Sequence, residues 1–479
     1  MIEFFRSFQF IIENGIIILT IFIFGSYVTL ALFSALSMLK YMRKNSFIDY
    51  KVLLSSPLAP SISVIAPAYN EGKTIVDNIR SLLSLHYNDF EVIIINDGSS
   101  DDSMEKVIKA YDLEMVDFVY EEKIRTQPIR GIYKSRNKAF SKLIVIDKEN
   151  GGKADALNAA VNFSQKEYIS VVDVDSVLVE DALLIMAKPF LEETDRKIIA
   201  SGGVIRIANS CKIEDGKITE VKLPKKFIPR VQVLEYTRAF LMGRMAWSKL
   251  NGLLLVSGAF GMFNRDIVMK VGGYNTNLVG EDMELIVRMR RYMSEQKEKY
   301  QVIYIPDPLC WTEVPATVKV LGRQRDRWTR GTMESLFMHF KLFFNPRYGS
   351  LGVLGHPYWF FFEWLAPIFE FVGIIYFIII ALLGIPNWPF FFLLLGTVYF
   401  FAVTLTHWAI LFEELSFHRY QKKREVVKML LTSMLEPIFY HPFILLFSIR
   451  GNFKYFVGEK SWGNMDRVGF TEEDKKKKK

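Results

Sequence analysis

Cysteine is scarce in this chain of 479 residues: there are two, Cys211 and Cys310, and neither belongs to a CxxC pair. A disulfide scaffold and a cysteine-rich zinc site are thereby excluded. Histidine is also thin, with six residues and no HxxxH pair, so none is assigned to a metal. The phosphate-binding pattern GxxxxGK[ST] is missing, which excludes a P-loop. The most informative absence is of charge in particular places. From Asn14 to Leu39 there are 26 uncharged positions, and from Phe371 to Phe412 another 42. The first run is too long for a signal-peptide core and is long enough to span about 30 Å of hydrocarbon with some tilt.

What is present agrees. Half the residues are hydrophobic, 14% are aromatic and 23% are charged, which excludes a disordered or collagen-like chain. The net charge is +8 (60 Lys and Arg, 52 Asp and Glu), and five of those cations are the terminal Lys475–Lys479 run, read as a solvated tail. The 42-residue run is interrupted by Gly384-Ile385-Pro386-Asn387-Trp388-Pro389, so it reads as two spans joined by a turn, with Trp388 at the interface. The first of these is expected to begin near Tyr358, with Glu363 and Glu370 in or beside the membrane. A weaker apolar segment, Met429–Ile449, contains Glu436, Pro437 and Pro442 and reads as either a span or a bent, interfacial piece. Lys40, Arg43 and Lys44 follow the first span, and a basic loop, His418 to Arg424, follows the third. The positive-inside rule therefore puts the N-terminus outside and the region between the spans in the cytoplasm. Four regions result: a membrane helix (1–45), a soluble domain (55–345), transmembrane and interfacial helices (350–450) and a basic tail (451–479).

The soluble middle alternates short β-branched runs with helical patterns. Ser61–Pro67, Glu91–Asn96 and Tyr168–Val172 read as strands, and Lys73–Leu85 and Ser103–Tyr111 as helices between them. That alternation predicts an α/β fold with a mostly parallel sheet, whose ligands bind at the carboxyl ends of the strands. Polar residues stand at each expected end: Asn70-Glu71, Asp97-Gly98-Ser99, and Asp173-Val174-Asp175. Residues i and i+2 of a strand share a face, so Asp173 and Asp175 are expected to converge. Converging carboxylates need a cation between them, and Mg²⁺ or Mn²⁺ with a nucleotide diphosphate satisfies that need. Solvated loop carboxylates are the plainer reading of such a pair taken alone. Asn150-Gly151-Gly152-Lys153 is a glycine turn running into an Ala-rich helix, a place that favours anions. Gly280-Glu281-Asp282 opens a further helical pattern; it is either an acidic cap or a base that can accept a hydroxyl proton. In Gln324-Arg325-Asp326-Arg327-Trp328, a Trp face suits a sugar ring and an Arg suits pyrophosphate, although an interfacial amphipathic helix has the same composition.

Taken in order, Pro67-Ala68-Tyr69-Asn70-Glu71, Asp97-Gly98-Ser99, Gly152-Lys153-Ala154, Asp173-x-Asp175, Gly280-Glu281-Asp282 and Gln324-x-x-Arg327-Trp328 resemble the motifs of family 2 inverting glycosyltransferases with a GT-A fold. The branch resembled is the membrane synthases of β-linked polysaccharides: poly-N-acetylglucosamine, chitin, hyaluronan and cellulose. The resemblance implies that Tyr69, Glu71 and Asp97 hold uridine. It implies that Asp173 and Asp175 meet ribose, diphosphate and metal, with Asp175 the metal ligand, and that Lys153 lies near the diphosphate. Asp282 is then the general base. Gln324, Arg327 and Trp328 shape the acceptor site and contact pyrophosphate, Ser257-Gly258 lie near the acceptor end, and Thr312-Glu313-Val314-Pro315 begin a gating loop. Asn96 stands where many relatives carry Asp, and the charged stretch from about Glu121 to Lys148 has no assigned role. The implied activity is processive transfer from a UDP-sugar to a growing β-linked polymer, poly-N-acetylglucosamine first by analogy, in the plasma (inner) membrane with the catalytic domain cytoplasmic. The rival is transfer of one sugar to a lipid acceptor. Membrane lipid and export or accessory subunits are the further partners implied; nucleic acid is not.

Overall fold

The computed structural model describes residues 2–45, 56, 58–192, 195–214, 216–420 and 422–459. The terminal lysine run lies outside the described residues.

The soluble part is built on a ten-stranded sheet with the order β3-β4-β5-β2-β1-β6-β11-β8-β12-β7. These strands are β1 (Ile62–Ala68), β2 (Phe90–Asp97), β3 (Leu113–Met115), β4 (Ile129–Ser135), β5 (Leu143–Lys148), β6 (Tyr168–Val172), β7 (Val177–Leu178), β8 (Lys197–Ile207), β11 (Phe260–Asn264) and β12 (Tyr300–Thr312). A separate hairpin joins β9 (Lys212–Glu214) to β10 (Lys217–Glu220). β5, β2, β1 and β6 run parallel to one another, and β11 is antiparallel to both its neighbours. The central strands read as continuous Ile/Val runs because helices cover both faces: Val64, Ile65, Val92 to Ile95 and Ile169 have essentially no exposed surface. The α/β class is the one expected from the sequence, but the sheet is mixed rather than mostly parallel: four of its nine pairings are parallel and five antiparallel, because β11 is inserted against the direction of its neighbours and β3, β4 and β7 add antiparallel at the edges.

The stretch from Glu121 to Lys148 contributes two strands to the sheet, β4 and β5, after an irregular lead-in. β4 pairs antiparallel with β5, β5 extends the parallel array beside β2, and their register sets Lys148 directly opposite Asp97.

In chain order the helices that matter are α1 (Ile2–Asn45), α2 (Ile75–Leu83), α3 (Ser103–Tyr111), α4 (Lys153–Phe163), α5 (Phe227–Thr237), α6 (Glu281–Glu295), α7 (Val318–Met338), α8 (Ala366–Leu382), α9 (Trp388–Phe417), α10 (Lys423–Phe439) and α11 (His441–Val457). Among the described residues, three helical stretches are long and apolar enough to cross a membrane: Gln9–Asn45, Leu351–Leu382 and Trp388–Phe417. Their side chains, Phe22, Ile378 and Phe400 among them, point outward, as lipid-facing residues do. The second stretch starts at Leu351, seven residues before the expected Tyr358, because π-helical turns at Leu351–Gly355 and Trp359–Leu365 carry the helix through His356-Pro357. α10 and α11 form a pair bent by 48°, and together they are long and apolar enough to count as one broken span or a re-entrant piece, so Met429–Ile449 is bent in either reading. Residues 451–457, expected in the tail, continue α11.

Candidate active site

Parallel strands aligned in register deliver their last residues to one edge. β1 leads into Tyr69, Asn70 and Glu71. Asn70 takes a left-handed φ of 56°, and its side-chain oxygen accepts the Ser100 amide at 2.8 Å, tying this turn to the one after β2. Tyr69 is half exposed, and both Tyr69 and Glu71 line the cavity described below.

Asp97 ends β2 and is buried beneath the glycine turn. Its carboxylate accepts the Gly151 amide at 3.0 Å, the Gly152 amide at 2.8 Å and the Lys148 ammonium at 2.8 Å. Lys148, with no exposed side-chain surface, also sits 2.5 Å from Asp155 in the first turn of α4. A buried cation is thus shared by two buried carboxylates, an arrangement that tolerates loss of no single member. Nothing in the sequence marked Lys148, since its role follows from the β2–β5 register. Asn96, the departure at this strand end, donates to Asp147 at 2.6 Å.

Gly152, at φ 86°, is the N-cap of α4, so the turn runs into the Ala-rich helix as expected. Lys153, the first residue of α4, reaches across to Asp173 at 2.5 Å and approaches the Gly258 carbonyl at 3.4 Å. Burial alone would lower the Lys153 ammonium, but Asp173, Glu281 and Asp282 outweigh it and hold the ammonium above its ordinary range. Asp173 and Asp175 do not stand on strand β6, which ends at Val172. They occupy a turn closed by the Ser176 amide on the Asp173 carbonyl at 2.9 Å, so the turn and not the strand pleat brings both to the cavity wall.

Asp282 lies in the first turn of α6, where it accepts its neighbour's amide, Met283, at 2.9 Å. α6 begins hard against α7: a methyl placed on Gly280 would meet the Gly331 Cα at 2.5 Å. Glu281 is buried beside Asp282, and burial, reinforced by the Asp282 charge, raises its carboxyl above the ordinary range despite Lys153 and Arg327. A raised carboxyl binds its proton more tightly in the folded state, so the stability it confers is present at low pH and lost as pH rises through the raised value. Glu281→Gln should therefore melt higher than wild type at neutral pH, with the gap closing on acidification below the usual carboxylate range. A gap that is constant with pH would contradict this.

Gly258 joins the two halves. Its carbonyl faces Lys153, and a Cβ on it would stand 2.7 Å from Asp282 Oδ2. Gly258→Ala must push that carboxylate aside. It should cut kcat by about 10²-fold with thermal stability little changed, given how steeply rate depends on ångström-scale placement. Steady-state kinetics checks this. Ser257 flanks it on the cavity wall.

The segment Gln324–Trp328 lies on α7 and divides by face. Gln324, Arg325, Arg327 and Trp328 all line the cavity, with Trp328 41% exposed. Arg325 is buried, pairs with Glu235 at 2.8 Å and stacks 4.1 Å from the Trp328 ring. Asp326 turns the other way, to Arg450 on α11 at 2.9 Å. Asp326 thus anchors α7 on its far side, and Arg325, on the cavity side, braces Trp328. After β12, Val314 exchanges backbone hydrogen bonds with the Asn209 side chain (2.9 and 3.1 Å), and the Pro315 carbonyl accepts from Gln232 at 2.8 Å.

Every site residue named from the sequence, from Tyr69 to Trp328, borders one cavity of about 2470 Å³. It runs from Tyr69, Asp97 and Lys153 past Asp282 and Trp328 to Tyr27 and Leu30 of α1, Glu363, and Leu405 of α9. The donor set is one of hard oxygens. Among the described residues no three His, Cys, Asp or Glu side chains converge as a metal cage. Asp175 on the wall and Asp173, engaged by Lys153, suit a divalent ion held by one or two carboxylates and completed by substrate phosphates.

A Glycosyl transferase family 2 model matches residues 63–272, and a Glycosyl transferase family group 2 model matches residues 168–404. The poly-beta-1,6-N-acetyl-D-glucosamine synthase of Staphylococcus epidermidis is 30% identical over 293 residues, 61% of this chain and 60% of that protein. The corresponding synthase of Staphylococcus aureus (strain COL) is 28% identical over 58% of this chain and 56% of that protein. The chain thus spans about 60% of the length of the curated relatives it matches. Among solved structures, the mannosyltransferase PcManGT from Pyrobaculum calidifontis, in complex with GDP-Man and Mn2+, has a TM-score of 0.47 at 16% identity, over 91% of this chain and 100% of that chain.

Proposed function

The chain belongs to glycosyl transferase family 2, and from that premise we propose that it is a membrane-embedded, processive, inverting glycosyltransferase. It transfers sugar from a UDP-sugar, UDP-N-acetylglucosamine by the likeness to the staphylococcal synthases, to a growing β-linked polymer. The observation that carries this reading is the continuity of the cavity: acidic strand ends, Asp282 and Trp328 share one wall with helices able to cross a membrane.

The reaction is a single displacement at the anomeric carbon. Asp282 takes the proton of the acceptor hydroxyl as its oxygen attacks. Lys153 and Arg327 offset charge developing on the departing diphosphate. A divalent ion, Mg²⁺ or Mn²⁺, held at Asp175, would neutralise the diphosphate further. Tyr69, Glu71 and Asp97 form the uridine end, with Asp97 acting also through the glycine turn it clamps. Gln324, Trp328 and the Ser257-Gly258 turn orient the acceptor end, and the Trp328 face carries the sugar ring. The polymer then moves into the passage beside α1 and α9, in a multi-pass plasma membrane protein with its sheet domain in the cytoplasm and with export or accessory subunits as partners. Purified protein in detergent, offered a panel of UDP-sugars with Mg²⁺ or Mn²⁺, should release UDP with UDP-N-acetylglucosamine above all others. Equal or absent release across the panel would reject the donor assignment.

A further inference from the structure

At the rim of the catalytic cavity, away from its acidic centre, one surface is strongly basic, with Lys225, Lys226, Lys422 and Lys428 bordering the cavity mouth, and an adjacent helix face is apolar and uncovered. α10 follows the span Trp388–Phe417. Its buried side, Met429, Thr432, Ser433 and Glu436, packs on the protein. Its other side exposes Val427, Leu431, Met434, Leu435, Ile438 and Phe439, each 43–58% accessible, at helical spacing. The first turn carries Lys423 and Arg424, after Lys422, and Lys428 follows one turn on. A second basic segment, Lys222 to Lys226, comes alongside: the Leu223 amide donates to Glu425 at 3.2 Å. That bond engages Glu425, and the neighbouring Glu220 pairs with Lys222 at 2.5 Å, which leaves the other cations to face outward. Residues 222–226 and 422–428 together hold seven basic side chains and one acidic, and Lys225, Lys226, Lys422, Lys423, Arg424 and Lys428 are all exposed.

We propose that this surface is a docking site for acidic phospholipid headgroups, with α10 lying in the membrane interface, its apolar face in the acyl boundary and its basic end on the phosphates. Charge complementarity selects this occupant. A helix with an apolar stripe and cations gathered at one end, next to a membrane span, matches a negatively charged bilayer surface and has no use for a neutral one. Docking there also bears on the cavity. α10 is fixed to α5 by Arg230 on Thr432 at 2.9 Å and to the following π-helical turn by Arg238 on Glu436 at 2.7 Å. Arg238 lines the passage. Acidic lipid held on α10 therefore steadies the passage wall.

The inference rests on the membrane reading but not on the chemistry proposed for the site. The full chain is placed in nanodiscs of phosphatidylcholine alone or with phosphatidylglycerol added. Retained phosphatidylglycerol is counted by native mass spectrometry, and UDP release is followed in parallel. Wild type should retain phosphatidylglycerol and turn over several-fold faster in the acidic discs. The combined variant Lys225→Gln, Lys226→Gln, Lys422→Gln, Lys428→Gln should lose retention by about tenfold and lose the lipid dependence, with unchanged thermal unfolding. Equal retention by both proteins overturns the proposal. So does a variant whose donor KM rises equally in neutral and acidic discs, since the lysines then serve the anionic donor. Retention needs no sugar transfer, so failure of the function leaves this readout intact.

Discussion

Asp282→Asn abolishes sugar transfer, by roughly 10²–10⁴-fold, while leaving UDP affinity within a few fold of wild type. The amide keeps the size of the carboxylate and its hydrogen bond to the Met283 amide, so α6 still starts in place against Gly331. What it loses is the capacity to accept a proton as the acceptor attacks. Asp282 touches neither Lys148 nor the Asp97 clamp, which is why nucleotide binding is spared. Turnover by UDP release and affinity by calorimetry separate the two quantities. Undiminished turnover would remove Asp282 from the mechanism, and a parallel collapse of UDP affinity would make it a folding residue.

The second large effect is expected at a residue far from the acceptor. Lys148→Met removes the one cation between Asp97 and Asp155, both buried. Stranding buried charges by deleting a partner costs about 3–5 kcal/mol. Asp97 orders the amides of Gly151 and Gly152, and those set the start of α4 and hence Lys153. Thermal unfolding of the solubilised protein should therefore drop by several degrees, and donor KM should rise more than kcat falls. The double variant Lys148→Met with Asp97→Asn should recover part of the stability, because one stranded charge is then neutral. An unshifted melting curve for Lys148→Met would show the triad to be energetically idle.

That residue also marks where the sequence stops being legible. β1, β2 and β6 could be read because a strand buried on both faces is an unbroken apolar run, and the polar residues after each run pointed to the site. β3, β4 and β5 could not. β4 lies beside the sheet's edge, and its partly exposed positions, Arg130 and Lys134 among them, break the apolar pattern. Without that pairing, Lys148 is one cation in a charged stretch. The Asp173 and Asp175 convergence was expected from a strand pleat and arises from a turn, since β6 has already ended. In Gln324–Trp328, composition gave the right side chains but not which faced the cavity. Helical phase decides that: it turns Asp326 away to Arg450, while Arg325, stacked on Trp328, borders the cavity with the other three. In the membrane part, the uncharged runs located the spans. The early start at Leu351 was hidden because a proline normally argues against a helix interior, and here π-helical turns absorb it.

The central claim is that a single cavity couples transfer to the passage of a growing polymer. Product mass tests it most directly: purified protein is incubated with UDP-N-acetylglucosamine and a divalent metal, and the glycan is sized by mass spectrometry. The account predicts a ladder of N-acetylhexosamine polymers whose length grows with time. A single glycolipid carrying one sugar, with no longer species, would contradict it.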